Sequence, residues 1–220
     1  MDIRQRPVAF LGGTGPEGRG LALRYALAGQ EVLIGSRDAA RAAQAAERVR
    51  AKARGAKVTG VANSEAARLG ESVFLVVPYE AQRSLLEEVG AHLVGKLVVS
   101  VVSPVVFEGG RPRTIAVEEG SAAQQAQRLL PESQVVAAFH HVSASDLWAT
   151  ERRLEGDVLV CASDSDAKAR TMELVRLVVA LRPVDAGGLE NARYVEELTA
   201  LLIELNRLHR AHTSVRILGV

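Results

Sequence analysis

Cysteine is almost missing from this chain: Cys161 is the only one in 220 residues. That excludes an intrachain disulfide and a four-cysteine zinc site. It fits a reducing compartment, so the cytoplasm is expected. Aromatic residues make up 4%, too few for a platform on which bases stack. Charge of one sign is also lacking. With 27 basic and 26 acidic residues the formal net charge is +1, so neither nucleic acid nor an acidic membrane is an expected partner. No apolar run reaches the ~18 residues that suggest a membrane span. Met1–Pro7 has no apolar core and does not read as a secretory leader. What remains is ordinary for a soluble protein, with 48% hydrophobic and 24% charged residues. The length suits one domain with an appendage, or two small domains.

Short apolar runs alternate with helical patterns from Val8 to Phe139. Strands are expected at 8–11, 31–34, 57–61, 72–77, 97–101 and 134–139. Helices are expected between them at 17–28, 38–54, 64–69, 80–92 and 121–130. Residues 103–117 read as irregular, with two glycines and two prolines. This alternation predicts an α/β fold, a mostly parallel, doubly wound sheet with helices on both faces. Past residue 143 the pattern loosens into a strand (157–161), a helix (166–181), an extended piece (182–185) and a long helix (190–212). Leu198, Leu201, Leu202, Leu205 and Leu208 recur on that last helix at three- and four-residue spacing. We expect residues 1–143 to form one domain and 144–220 a small C-terminal α/β appendage, too small for a core of its own.

The first strand runs into Gly13-Thr14-Gly15-Pro16-Glu17-Gly18, a G-x-G-x-x-G turn with a strand before it and a helix after it. That context marks the Rossmann dinucleotide fingerprint. The first glycine permits the turn, the second lets backbone approach a diphosphate, and the third lets helix and strand pack. The helix start offers N–H groups and partial positive charge to the phosphates, and Pro16 is tolerated in its first turn.

The second strand ends on Gly35-Ser36-Arg37, where an NAD site usually carries an acid for the ribose 2′-hydroxyl. A carboxylate would repel a 2′-phosphate, whereas a hydroxyl and a guanidinium bind one. Arg41 lies one helical turn beyond Arg37, and Thr14 offers a further hydroxyl. The expected coenzyme is NADP(H).

The stretches "LGGTGPEGRGLALR", "IGSR", "VVPYEA", "VVSVVSPV", "GSAAQ", "AFHHVSA" and "RPVDAGGLENARYVEELTALL" occur in this order. Together they resemble the NADP-dependent reductases of the deazaflavin coenzyme F420, from Val8 to about Arg207. The resemblance implies hydride transfer between nicotinamide C4 and deazaflavin C5. It places 2′-phosphate recognition on Thr14, Ser36, Arg37 and Arg41. It places the nicotinamide-side segments on Val77-Pro78-Tyr79 and on Ser100–Pro104, Val102 included. The segment between the rings falls on His140, Val142 and Ala144, with the Ala144 backbone N–H near the carboxamide. The chain departs from the family at Tyr79, His141 and Ser143, positions that shape the deazaflavin pocket. The family is dimeric, and a homodimer using the C-terminal segment is expected.

Hydride transfer needs two stacked rings and excluded water, not a nucleophile or a metal. Apolar Val77, Val102 and Val142 suit that positioning, and His140 or a backbone N–H suits stabilising charge on a reduced ring. His209 and His212 share a helix face without a third ligand, so no metal site is expected. The coenzyme half alone also fits a reductase of a flavin, quinone or imine, or an NADP(H) sensor without turnover.

Overall fold

The computed structural model describes residues 6–151 and 153–220. Residues 1–5, part of the N-terminal segment read above, lie outside the described residues. Six strands form one parallel sheet: β1 (Val8–Leu11), β2 (Val32–Ser36), β3 (Val58–Ala62), β4 (Ser72–Leu75), β5 (Leu97–Ser100) and β8 (Gln134–Ala137). Their spatial order is β3-β2-β1-β4-β5-β8. β1, β4 and β5 are buried along their whole length, as strands covered on both faces must be. Helices α1 (Pro16–Leu27), α2 (Ala39–Lys52), α3 (Asn63–Leu69), α4 (Tyr79–Val89) and α5 (Ala122–Leu129) make the crossovers. The chain winds outward one way through β2 and β3 and the other way through β4, β5 and β8. The reversal lies between β1 and β4, so the crevice beyond their carboxyl ends is the binding position of such sheets.

The scarce aromatics are concentrated under this crevice. Phe10 and Phe74 have ring centroids 4.9 Å apart, and Phe74 and Phe139 lie 5.8 Å apart. All three rings are fully buried. Tyr25 of α1 joins them and donates its hydroxyl to the Leu174 carbonyl at 3.0 Å.

Residues 105–114 correct the expectation of irregular chain. They form an antiparallel hairpin, β6 (Val105–Glu108) and β7 (Arg111–Thr114). Gly109 and Gly110 turn it with φ of +57° and +76°, the pair of positive values a two-residue hairpin turn requires. Its mostly exposed strands carry no alternating apolar signal.

Beyond β8 the chain makes a short helix, α6 (Ala144–Trp148), that no periodicity announced. A parallel pair follows, β9 (Gly156–Val160) and β10 (Leu181–Asp185), connected by α7 (Ser165–Leu177). Ala137 and Cys161 exchange backbone hydrogen bonds at 2.9 and 3.0 Å, which ties this pair to β8. Both hydrophobic clusters draw residues from before and after residue 143. The last helix, α8 (Ala192–His209), is shorter than its pattern predicted. A 3-10 turn at 189–191 precedes it, and Arg210 ends it in the left-handed region at φ 49°.

The tail then returns along β9. Asp157 accepts two hydrogen bonds from Arg182, at 2.8 and 2.7 Å, and one from the Ile217 N–H at 2.6 Å. These donors hold its carboxyl down at about 2, with the arginine the larger cause.

Candidate functional site

The glycine turn sits at the reversal of the sheet, and packing dictates its composition. Gly12, not the first glycine of the fingerprint, takes the left-handed backbone, at φ +73°. A Cβ on Gly18 would meet the Gly13 Cα at 2.5 Å, so only glycine lets α1 start this close to the turn. Gly15 has nothing within 4 Å of its would-be Cβ; its backbone is open to a ligand. Gly13 N–H is shared between the Phe10 and Gly35 carbonyls. Asn63, the first residue of α3, accepts the Gly12 N–H on Oδ1 at 3.1 Å. Sequence reading missed Asn63, because its partner lies 51 residues away and no local pattern marks it.

One cavity, of about 690 Å³, opens on the β2 side of the turn. Gly12, Thr14, Gly15, Ser36, Arg37, Arg41 and Asn63 line it, together with Val77 and Pro78. The geometry explains how Asp38, beside two arginines, avoids opposing an anion. Its carboxylate caps α2, accepting the N–H groups of Ala40 and Arg41 at 2.8 and 3.2 Å. Its charge is turned onto a helix start that favours it. Ser36 Oγ accepts the Asp38 N–H at 3.2 Å, which leaves its own proton to donate. No ion pair engages Arg37 or Arg41 among the described residues.

A larger cavity, of about 880 Å³, lies on the other side of the turn. Pro16 and Glu17, Val101 and Ser103, residues 139–145, and Thr199, Leu202 and Ile203 of α8 line it. His140, Val142 and Ala144 all line this space. Gly13 and Gly18 are buried within the turn. Ser100 and Val102 are buried at the end of β5, behind the lining residues Val101 and Ser103.

Three devices hold the 139–145 wall. Phe139 adopts φ +71°, a conformation that costs a bulky residue ~1–2 kcal/mol; burial of its ring against Phe74 holds it there. Thr199 donates its hydroxyl to the His140 carbonyl at 2.7 Å. The proton of the 2.8 Å contact between Ser103 and Thr199 therefore comes from Ser103. Arg24 of α1 donates to the carbonyls of Asp146, Leu147 and Ala149 at 2.7–2.9 Å, capping the end of α6. Glu196 in turn fixes α8. Wholly buried, it accepts the Ala122 and Ala123 N–H groups at 2.7 and 2.9 Å and so caps α5. Burial pushes its carboxyl up to about 7 against those two donors.

Burial sets the protonation of the remaining ionisable groups. His140 has both ring nitrogens buried, with no close hydrogen bond and only a weak backbone contact at Val102. Burial, with His141 beside it, drives its pKa down to about 3, so the ring is neutral at physiological pH. His141 Nε2 lies 2.8 Å from the Asp157 carbonyl and 3.3 Å from the Leu159 N–H, so it donates to the first or accepts from the second according to its tautomer. The Glu17 carboxyl, one oxygen buried without a partner, is pushed up to about 8 by desolvation. Burial likewise raises the Cys161 thiol to about 11, an inert setting for sulfur. No group of three or more metal-ligating side chains occurs among the described residues.

Residues 7–104 match the family model described as "NADP oxidoreductase coenzyme F420-dependent". Over 209 residues the chain is 42% identical to the F420-dependent NADP reductase of Methanothermobacter marburgensis, covering 92% of this chain and 93% of that one. The chain belongs to the F420-dependent NADP reductase family. The enzyme of that name from Methanocaldococcus jannaschii is 38% identical over 96% of this chain and 97% of its own. A crystal structure of a putative F420-dependent NADP reductase from Arthrobacter sp. FB24 superimposes with a TM-score of 0.83 at 26% identity, covering 97% of this chain and 99% of that one. The family likeness thus extends through α8, beyond the segment that its model matches.

Proposed function

We propose that this chain transfers a hydride reversibly between NADP(H) and the deazaflavin coenzyme F420. Membership of the reductase family over the whole length carries the reading. The two cavities flanking one glycine turn support it.

When bound, NADPH supplies the hydride at nicotinamide C4, and the deazaflavin accepts it at C5. The smaller cavity suits the adenosine end, with Arg37, Arg41, Ser36 and Thr14 for the 2′-phosphate. The open backbone at Gly15 and the start of α1 suit the diphosphate. Val77 and Pro78 border the path toward the sheet's carboxyl edge, and buried Ser100 and Val102 back it. The larger cavity suits the two rings. Val142 and Ala144 offer apolar and backbone surface, and Leu202 and Ile203 of α8 add apolar lining that disfavours water. His140 acts as a neutral group; its ring N–H suits a carbonyl or a developing negative charge on a ring.

We assign coenzyme binding to residues 1–143 and completion of the acceptor pocket to residues 144–220, since α6 and α8 supply that pocket's outer wall. A homodimer fits the exposed apolar surface on α8, where Tyr194, Leu201 and Leu208 are 55–58% exposed. Hairpin β6–β7 packs beside α8 and exposes Phe107. Light scattering on a sizing column should give about twice the 23.5 kDa chain mass; a mass near 23.5 kDa removes the dimer. A cytoplasmic location fits the single buried thiol, and no helix among the described residues is long and apolar enough to cross a membrane.

Mixing the protein with NADPH and F420 should bleach the deazaflavin absorbance as NADPH is consumed. Rapid flavin reduction with no bleaching of F420 would transfer the reading to a flavin acceptor. Tight NADPH binding without turnover on any acceptor would make the protein a sensor.

A further inference from the structure

The larger cavity has a basic mouth that ring chemistry does not use. Arg19, one turn into α1, lines the cavity and has its Nε buried without a hydrogen-bond partner. Its guanidinium carbon lies 5.8 Å from the ring centre of Trp148, the last residue of α6, and Trp148 lines the same cavity. The Lys52 Nζ also approaches this ring, 5.3 Å from its centre, and donates to the Trp148 carbonyl at 3.2 Å. Both distances are within cation–π range. Arg48 lies one turn before Lys52 on α2, on the same face. Its side chain is exposed, lines the cavity, and has no ion-pair partner among the described residues.

Neighbouring arginines are committed elsewhere: Arg24 to the end of α6, and Arg50 to the Val58 carbonyl at 2.6 Å. The only carboxylate side chain in the cavity lining is Glu17, which desolvation keeps largely protonated at neutral pH. Arg19 and Arg48 therefore line this cavity, and Lys52 joins them at the Trp148 ring, in a chain whose net charge is +1. None of them lines the smaller cavity, where Arg37 and Arg41 lie.

We infer that Arg19, Arg48 and Lys52, arrayed about Trp148, form a subsite for the phosphate- and carboxylate-bearing chain of the acceptor. The inference rests on the deazaflavin reading. F420 consists of a deazaflavin head that binds as a ring and a tail of phosphodiester and glutamyl carboxylates that leaves the pocket. With the head stacked inside the cavity, the tail exits past this mouth. A planar guanidinium with a free fork suits its oxyanions, and Trp148 holds the cations in place by its ring face. The same cations also suit a coenzyme diphosphate, and the experiment separates these two anions.

Deazaflavin fluorescence gives binding without turnover. Dissociation constants are measured for F420, for the same 8-hydroxy-5-deazaflavin carrying only its ribityl chain, and for NADPH. The wild type should bind F420 about tenfold more tightly than the tailless compound in dilute buffer, and the advantage should shrink in 0.5 M KCl as exposed pairs are screened. Arg48→Ala and Lys52→Ala, both on the exposed face of α2, should each weaken F420 by about 2–5-fold. Tailless deazaflavin and NADPH should stay within twofold. Arg48→Glu should weaken F420 further. Equal wild-type affinity for both deazaflavins overturns the subsite and leaves the reductase reading intact. A loss confined to NADPH assigns the cations to the coenzyme diphosphate and also overturns it. Binding of neither deazaflavin removes the reductase reading, and the subsite with it.

Discussion

Replacing Arg37 by alanine should cost NADPH far more than NADH. The guanidinium lines the smaller cavity beside Ser36 and Arg41, without an ion-pair partner among the described residues, so removing it breaks no internal pair. At ~4 Å in water a pair of unit charges is worth about 1 kcal/mol. A phosphomonoester carries about 1.5–2 charges at pH 7, which brings the Coulomb part to about 1.5–2 kcal/mol per arginine. Hydrogen bonds to charged groups reach about 1.5–3 kcal/mol net; Arg37 is exposed, so the lower half of that range applies. The NADPH dissociation constant should rise about 10–30-fold at low salt, while that of NADH stays within twofold. Arg41→Ala should act in the same direction. The double variant should fall short of the product, because both residues serve one phosphate. Raising KCl from 50 to 500 mM should weaken NADPH binding to the wild type several-fold and leave the double variant nearly flat. Calorimetric titration with both coenzymes reads all of this. Equal losses for NADPH and NADH would refute the reasoning, since they would place Arg37 on a part that the two coenzymes share. A wild type without preference would refute it sooner.

Glu196→Ala leaves the buried N–H groups of Ala122 and Ala123 unpaired and should cost about 2–4 kcal/mol in urea unfolding; a loss under 1 kcal/mol would mean that α8 does not depend on this cap. His140 has a pKa of 6.5 in the unfolded chain and about 3 when folded. The unfolded chain alone binds its proton between those values, so its contribution is whole above pH 6.5 and drains as pH falls toward 3. Thermal scans should show melting temperature dropping below pH 6.5, less steeply in His140→Asn. Glu17 runs the opposite way, raised from 4.5 to about 8. Its contribution is whole below pH 4.5 and is lost as pH rises through 8, so Glu17→Gln should gain stability relative to wild type between pH 5 and 9. A pH-independent difference between the two proteins would contradict the buried carboxyl.

Alternation of apolar runs and helical patterns was enough to locate the six parallel strands and five crossover helices, because each repeats at its own period over neighbouring residues. The glycine turn and the Ser36–Arg37 ending were equally local, and with them the nature of the coenzyme. Hairpin β6–β7 was not legible: its exposed strands alternate nothing, and only the positive φ of two glycines marks its turn. Helix α6 is too short to show a period, and Arg24, 122–125 residues away in sequence, caps its end.

The residues in or around the two cavities divide the same way. His140, Val142 and Ala144 stood out through likeness to relatives, whereas Asn63, Glu196, Arg19, Arg48 and Trp148 carried no signal of their own. Each of those acts on a partner distant in the chain, through a hydrogen bond, a ring face or a shared wall. The amino-acid order alone therefore specified a doubly wound sheet and a phosphorylated dinucleotide, since both depend on spacing within about thirty residues. Burial belongs to the tertiary structure alone, because desolvation depends on what packs around a group. It leaves His140 neutral and Glu17 largely protonated, and the same packing brings Arg19 and Lys52 onto the Trp148 ring.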